Sequence, residues 1–431
     1  MSKKAGISSL LSASDLNDYI LPSQACILPP IEGSQDTNNA VEVGVYQKRT
    51  STPETTEKVS ISLKDCLACS GCVTSTELAL IGQQTSLDFL QALKSKAVAV
   101  SISPQSIASL AVKYSTSWER MASRLCLFLK SILKVSRVFD QRVAAKIALS
   151  LSLAEFISYP RSENPVVVSQ CPAVVSYIEK SHPKIVSLLS RIKTCQQILG
   201  EILKDVEDIF HVSIAPCYDK KLESFRDGET IGCVITTVEL ENICNDYSFD
   251  LSSSSIDGAW FDDLPRSDFI CRALVIGEAE GFNDQWGTGG FLAAILSYFS
   301  ARGYLVEKKE FSKDFVEWHV QDVGKSSPAM LMATCFGFKN IQNTIRKIKG
   351  SSSKYSYVEM MACPSACLNG GGQIPALNLS EISKKYSESI PDLFFSSITP
   401  WANIGQPLPF QATFKPVEAI SSRPVWAQVQ W

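Results

Sequence analysis

The stretch KDCLACSGCVTSTE, residues 64–77, places Cys66, Cys69 and Cys72 in a C-x2-C-x2-C run. Thiolates at that spacing wrap an iron-sulfur cluster, and a bacterial-type run continues with a fourth Cys and a Pro. Thr76 and Glu77 stand in those places, so the fourth ligand must come from elsewhere. Four other cysteines follow a different pattern. VVVSQCP carries Cys171, HVSIAPC ends at Cys217, and YVEMMACPSACLNGGGQ supplies Cys363 and Cys367. Each group follows a short apolar, β-branched run that reads as a strand. In open α/β sheets the crevice outside the carboxyl ends of the strands is where ligands bind, so cysteines just past strand ends can converge from distant parts of a chain. Four thiolates there suit one iron-sulfur cluster. Tetrahedral zinc also takes four Cys, but structural zinc sites usually come as two close C-x2-C knuckles, and the spacing favours the cluster while leaving zinc open. Cys126, Cys195, Cys233, Cys244, Cys271 and Cys335 sit singly in apolar or mixed stretches and read as small core hydrophobes.

The elements that must position these thiols are short apolar strands alternating with helical patterns from about residue 95 onward. AVAVSIS, VVVSQC, VSIAPC, CVITTV and ALVIG read as strands, AAKIALSLSLAEFI and KIVSLLSRIKTCQQILGEILKDV as helices. The alternation predicts an α/β fold with parallel strands. Residues 30–60 are polar and turn-rich, with one short strand expected around Val41 to Tyr46. At 431 residues the chain exceeds the size of one typical core. Its net charge of −3, without a basic stripe interleaved with aromatics, gives nucleic-acid binding no support. No apolar run reaches a membrane span and the first residues lack a signal-peptide pattern, so the chain reads as neither membrane-spanning nor exported. Without export, fourteen cysteines point to metal or core roles rather than disulfides. Gly287, Gly289 and Gly290 in QWGTGG lack the Lys-Ser/Thr of a phosphate loop, and with Gly370 to Gly372 they read as sites of close backbone approach. His182, His211 and His319 have no catalytic spacing and read as structural.

SISPQSIASLA, QCPAVVSYIEKSHPKIVSLLSRIKTCQQILG, HVSIAPCYDKKLE, WGTGGFLAAI and VEMMACPSACLNGGGQ together resemble the iron-only hydrogenases. They resemble more closely the hydrogenase-like proteins of eukaryotic cytosolic iron-sulfur protein assembly. The resemblance implies a hydrogenase-like two-lobed α/β domain with parallel sheets flanked by helices over 93–400. A ferredoxin-like cluster region over 1–92 and an extended tail over 401–431 flank it. It implies two 4Fe-4S clusters. One is held by Cys171, Cys217, Cys363 and Cys367. The other is held by Cys66, Cys69, Cys72 and, from the stretch DLNDYILPSQACILP, Cys26; the alternative is a surface or core Cys26 with a different fourth ligand.

The departures from hydrogenases bear on function. Where hydrogenases carry Cys-Cys-Pro, with the first Cys relaying protons to a di-iron unit, this chain reads Gln170-Cys171-Pro172, and an amide has no proton to exchange near neutral pH. Ala215 stands where a Met commonly faces the di-iron unit, while Lys220 and Glu223 keep the PCxxKxxE pattern. Hydrogenase activity is therefore not expected. The resemblance implies a non-catalytic assembly factor of the cytoplasm and nucleus, linking the P-loop scaffold proteins to a targeting complex of WD-repeat and HEAT-repeat proteins. An electron-transfer oxidoreductase or degenerate hydrogenase is the alternative. The last residues, Val429, Gln430 and Trp431, resemble the tripeptide by which proteins of this pathway dock on that complex. A terminal carboxylate beside an aromatic anchor is a known recognition device, against which stands simple packing of the tail onto its own protein.

Overall fold

The computed structural model describes residues 40–42, 60–62, 75–158, 164–204, 209–226, 230–253, 259–264, 290–322, 330–350, 355–389 and 410–416. Cys26, Cys66, Cys69, Cys72, Cys271, Gly287, Gly289, Val429, Gln430, Trp431 and the ALVIG stretch lie outside the described residues. Two compact units divide the chain, Met1–Gln83 with Val417–Trp431, and Gln84–Pro416. In the first, strands β1 (Ala40–Glu42) and β2 (Ser60–Ser62) pair antiparallel, and helix α1 spans Ser75–Gly82. Of the strand expected around Val41 to Tyr46, the described part is Ala40–Glu42.

The second unit opens with α2 (Ser86–Ser95), β3 (Val98–Ile102), α3 (Pro104–Lys113), α4 (Trp118–Leu127), β4 (Arg137–Asp140) and α5 (Gln141–Ser158). It continues with β5 (Val166–Val168), α6 (Pro172–Ser181), α7 (Cys195–Lys204), β6 (Phe210–Ala215), α8 (Asp219–Glu223), β7 (Cys233–Thr236) and α9 (Thr237–Asp246). Last come α10 (Phe291–Ser300), β8 (Tyr304–Ser312), β9 (Phe315–Asp322), β10 (Met330–Phe336), α11 (Phe338–Lys349), β11 (Tyr355–Met361) and α12 (Leu379–Ser389). Local chemistry sets several of these starts. Thr85 with Asp88, and Thr236 with Glu239, close reciprocal capping boxes on α2 and α9. Pro104 and Pro172 occupy first helical positions, where the missing N–H costs nothing. Among the described residues no helix is long and apolar enough to cross a membrane.

Two sheets organise this unit. One has the order β4-β3-β6-β7 and is parallel throughout. Its inner strand β3 is buried along its whole length, which is why AVAVSIS reads as a continuous apolar run with small polar residues rather than an alternation. The other has the order β5-β11-β10-β9-β8. Its first three strands are parallel, while β9 runs antiparallel to both of its neighbours, β10 and β8. The two-residue link between Ser312 and Phe315 forces that reversal, since a parallel neighbour needs a crossover of a dozen or more residues. The fold class is α/β as expected, and the second sheet carries this hairpin beside its parallel strands. One apolar core runs from β3, β4 and β6 through α5 and α10 to Val316, Trp318 and Tyr357 of the second sheet.

The stretch KIVSLLSRIKTCQQILGEILKDV does not form one helix. A 3-10 turn covers Pro183–Leu188, the chain then extends, and α7 begins only at Cys195. Backbone pairing wins over helical periodicity there. Leu189 bridges Val167, Ser190 N–H donates to Val167 O (2.7 Å), and Ile192 bridges Gln411, with Lys193 N–H donating to Phe410 O (2.9 Å).

Candidate metal centre

Three strand ends deliver the four cysteines. Cys171 follows β5, Cys217 follows β6 and Cys363 follows β11, each within three residues, and Cys367 lies one short loop further on. β5 and β11 are parallel neighbours, with Val168 opposite Glu359, so Cys171 and Cys363 leave the same edge of one sheet. Cys217 comes from the other. Cys171 and Cys217 are buried, while Cys363 and Cys367 are partly exposed.

Each cysteine-bearing segment is held by its own contacts. Ser169 Oγ donates to Met360 O (2.6 Å) and accepts from Cys171 N–H (3.1 Å), hooking the end of β5 onto β11. Cys171 is also the N-cap of α6, whose amide end favours a thiolate. Between Cys363 and Cys367 the chain takes positive φ at two successive non-glycine residues, Ser365 (57°) and Ala366 (55°). Such strain persists only where surroundings impose it. Here Ser365 N–H donates to Asp314 Oδ1 (2.7 Å), and Ala366 N–H donates to Cys363 O (3.1 Å). After Cys367, Gly370 and Gly372 run against the Cys217 segment. A Cβ at Gly370 would lie 2.3 Å from Pro216 O, one at Gly372 2.7 Å from Thr236 Cγ2, and Gly372 N–H donates to Pro216 O at 3.0 Å. Both positions demonstrate the close backbone approach expected of this glycine run.

Burial dominates the chemistry of these thiols. Burial pushes the Cys217 thiol well above its ordinary range, and Asp219 and the sulfurs of Cys367, Cys171 and Cys363 add to it. Burial pushes Cys367 to about 12, with Cys171 adding and Lys220 opposing. Cys171 is likewise raised, first by burial and then by Asp219. Thiols so placed stay protonated near neutral pH until a metal displaces the proton. Among the described residues, no three His, Cys, Asp or Glu side chains gather tightly enough to hold a single metal ion.

A buried cation and its polar support border the site. Lys220 Nζ pairs with Glu223 Oε2 at 3.0 Å. Burial works against the Lys220 charge, but Glu223 and the sulfurs of Cys367 and Cys217 outweigh it and raise the ammonium above its usual value. Glu223 also accepts from Thr194 Oγ1 (2.8 Å) and from Gln196 Nε2. The network continues inward: Ser213 Oγ donates to Gln196 Oε1 (3.0 Å), Gln141 Nε2 donates to Ser213 Oγ (2.9 Å) and Ser101 Oγ (3.1 Å), and Ser101 Oγ pairs with His211 Nε2 (2.9 Å). His211 is thereby structural; His182 pairs with Lys349 Nζ at 2.9 Å, and His319 sits within β9.

Gln170 is buried, and its Oε1 accepts from Cys195 N–H (3.1 Å) and faces the Cys195 thiol (3.5 Å). Ala215 is the last residue of β6 and is buried. Cys126, Cys233, Cys244 and Cys335 are core thiols as expected, and Cys195, partly exposed, packs against the core while facing Gln170.

Residues 96–371 match the family described as iron only hydrogenase large subunit, C-terminal domain. A variant of the FeFe-hydrogenase HydA1 from Chlamydomonas reinhardtii has the same fold, with a TM-score of 0.60 at 20% identity over 76% of this chain and 98% of that one. A probable cytosolic Fe-S cluster assembly factor of Brugia malayi is 34% identical over 87% of this chain and 85% of its own. Protein NAR1 of Arabidopsis thaliana is 35% identical over 87% and 85%, and the cytosolic Fe-S cluster assembly factor narfl of Xenopus tropicalis 34% identical over 90% and 89%. The chain belongs to the hydrogenase-like family of cytosolic Fe-S cluster assembly factors.

Proposed function

We propose that this protein acts in cytosolic iron-sulfur protein assembly as a non-catalytic carrier of two 4Fe-4S clusters. One is held by Cys171, Cys217, Cys363 and Cys367, the other by Cys26, Cys66, Cys69 and Cys72. The observation that carries the reading is the convergence of thiols from three separate strand ends, in a relative of proteins named for cluster assembly. A donor set of four cysteines fits a 4Fe-4S cluster, and the spacing of these cysteines is not the pair of close C-x2-C knuckles usual in structural zinc sites. The cluster supplies iron and sulfide, and with them the capacity to accept an electron.

The chain's own residues bind and enclose it. The strained loop from Cys363 to Cys367 presents two thiols in fixed directions, Lys220 offsets thiolate charge, and Gly370 and Gly372 let backbone close against the Cys217 segment. Gln170 supports the absence of hydrogenase chemistry, because its amide accepts hydrogen bonds from Cys195 and has no proton to pass on. The protein is read as working in the cytoplasm, as the names of its relatives support, and in the nucleus. Its partners are read as the P-loop scaffold proteins and the WD-repeat and HEAT-repeat targeting complex, docked through Val429, Gln430 and Trp431.

The test is to deplete the chain in cells, restore it as wild type, as the Cys363→Ala/Cys367→Ala double variant or with Trp431 deleted, and follow radiolabelled iron into cytosolic client proteins. Only the wild type should restore labelling, and the Trp431 deletion should keep its own iron while losing the targeting complex. Full client labelling with the double variant would overturn the carrier role of the second cluster.

A further inference from the structure

The turn of the β8–β9 hairpin touches the segment between Cys363 and Cys367. Asp314, one of the two residues that link the strands, accepts from Ser365 N–H through its Oδ1 at 2.7 Å, across 51 residues of sequence. Its backbone pins Asp314 in turn: the carbonyl O accepts from Phe336 N–H (2.8 Å) and from Asn340 Nδ2 (3.4 Å), and Asn340 Nδ2 also donates to Phe336 O (2.8 Å). Gly337 N–H donates to Met361 O (2.9 Å), where β11 ends and the cysteine loop begins. The carboxylate therefore reaches the loop from a frame made of the ends of β10 and β11 and the start of α11. What it holds is strained. Ser365 and Ala366 both have φ in the left-handed region, 57° and 55°, which glycine adopts freely and other residues do not. Ala366 N–H is answered inside the loop by Cys363 O (3.1 Å), whereas Ser365 N–H is answered from outside it by Asp314.

We propose that Asp314 is a positioning residue for the second cluster: it locks the left-handed turn that sets Cys363 and Cys367 in a fixed relation before the cluster arrives. The inference rests on the reading of Cys171, Cys217, Cys363 and Cys367 as ligands of one cluster. Residues with side chains at positive φ relax toward the ordinary region unless their surroundings hold them. Relaxation at Ser365 turns the chain between the two cysteines, and binding then has to rebuild the turn before both sulfurs can bond iron. A cluster with four thiolates is an anion, so the charge of a neighbouring carboxylate does not aid its binding. What Asp314 contributes is the acceptor for Ser365 N–H.

The test uses a full chain carrying Cys66→Ser, Cys69→Ser and Cys72→Ser, so that bound iron reports the second site alone. This parent is loaded anaerobically with ferrous iron and sulfide, then challenged with EDTA. Absorbance follows cluster loss, and electron paramagnetic resonance of the dithionite-reduced protein reports how the cluster is held. Asp314→Ala should lose its cluster roughly tenfold faster than the parent, the factor typical of one hydrogen bond to a charged acceptor, with a broadened resonance. Asp314→Asn, whose amide oxygen still accepts from Ser365 N–H, should stay within about twofold of the parent. Asp314→Glu, which keeps the charge but displaces the acceptor by a methylene, should lose its cluster at least about threefold faster. The ordering of Asn and Glu tests the inference even where the Ala variant fails to fold. Loss from Asp314→Ala at the parent rate, Asp314→Asn no slower than Asp314→Glu, or faster loss with an unchanged resonance, which marks a loosened fold alone, overturns the inference and leaves the cluster reading intact. A parent chain that takes up no cluster removes the cluster reading and the inference with it.

Discussion

Replacing Glu223 by Gln should cost the iron-free protein much more than the loaded one. Glu223 and Lys220 form an ion pair whose side chains are only 5% and 10% exposed. Gln is nearly isosteric and can still accept from Thr194 Oγ1 and Gln196 Nε2, so the principal loss is the countercharge of Lys220. Breaking a buried pair from one side typically costs roughly 3 to 5 kcal/mol. In the iron-free protein nothing replaces that charge, because burial keeps the Cys217 thiol well above its usual range and Cys367 at about 12, so both stay protonated at neutral pH. In the loaded protein the same sulfurs are thiolates. Unit charges about 4 to 8 Å apart at an effective dielectric constant near 20 attract by roughly 2 to 4 kcal/mol, which offsets most of the loss. Denaturant unfolding of iron-free Glu223→Gln should therefore show the full cost, and thermal unfolding of the loaded variant under anaerobic conditions only a small one. By linkage, loading should stabilise the variant more than it stabilises the wild type. Equal destabilisation of the two forms would refute the placement of Lys220 as the cation that faces the thiolates.

Gly370→Ala should lower stability by roughly 2 to 3 kcal/mol and reduce iron content, because overpacking here cannot be relieved by a rotamer change. The added Cβ would meet Pro216 O at 2.3 Å and Pro216 C at 2.9 Å, backbone that cannot withdraw without moving Cys217. A variant with wild-type unfolding and iron content would contradict the close approach. His211 supplies a pH dependence: burial lowers it from 6.5 to about 4, so it is neutral when folded while the unfolded chain takes up a proton below about 6.5. Its contribution is present above that pH and is lost as pH falls toward 4, amounting to about 3 kcal/mol at 1.36 kcal/mol per pKa unit. Urea unfolding of the wild type and His211→Asn between pH 7 and 4 should show the shallower pH slope in the variant, and identical slopes would count against the burial argument.

The strands that deliver the cysteines were legible because β5, β6 and β11 are nearly continuous apolar runs ending abruptly at Cys-Pro, Pro-Cys or Ala-Cys. Local composition carries that information. The extended segment at 189–194 was not legible, because its apolar spacing continues the helical period on both sides. What breaks the helix there is pairing with Val167 on one edge and Gln411 on the other, the second more than 200 residues away in sequence. The reversal of β9 against β8 was hidden in the same way: their composition fits either direction, and only the brevity of the Ser312 to Phe315 link decides it. Cys195 packs against the core as expected, and what its neighbours in sequence could not show is that its N–H and thiol also face Gln170.

Gln170 also shows how the site's electrostatics and its chemistry part company. Lys220, Glu223, Thr194 and Gln196 form a network that needs only a buried negative guest nearby, whatever that guest does. Proton relay demands more: an exchangeable proton at one position, free to move toward the reacting atoms. At position 170 this chain has an amide whose oxygen is already committed to the start of α7. Changing that residue to Cys would supply a thiol but leave the Cys195 N–H without its acceptor and α7 without that anchor. On the proposed reading, the missing relay goes with how the segment at position 170 is fastened, while the four thiols and the buried Lys220 would hold the cluster. A shared fold does not carry a shared reaction, which is why function has to be argued from position 170 as much as from the four cysteines.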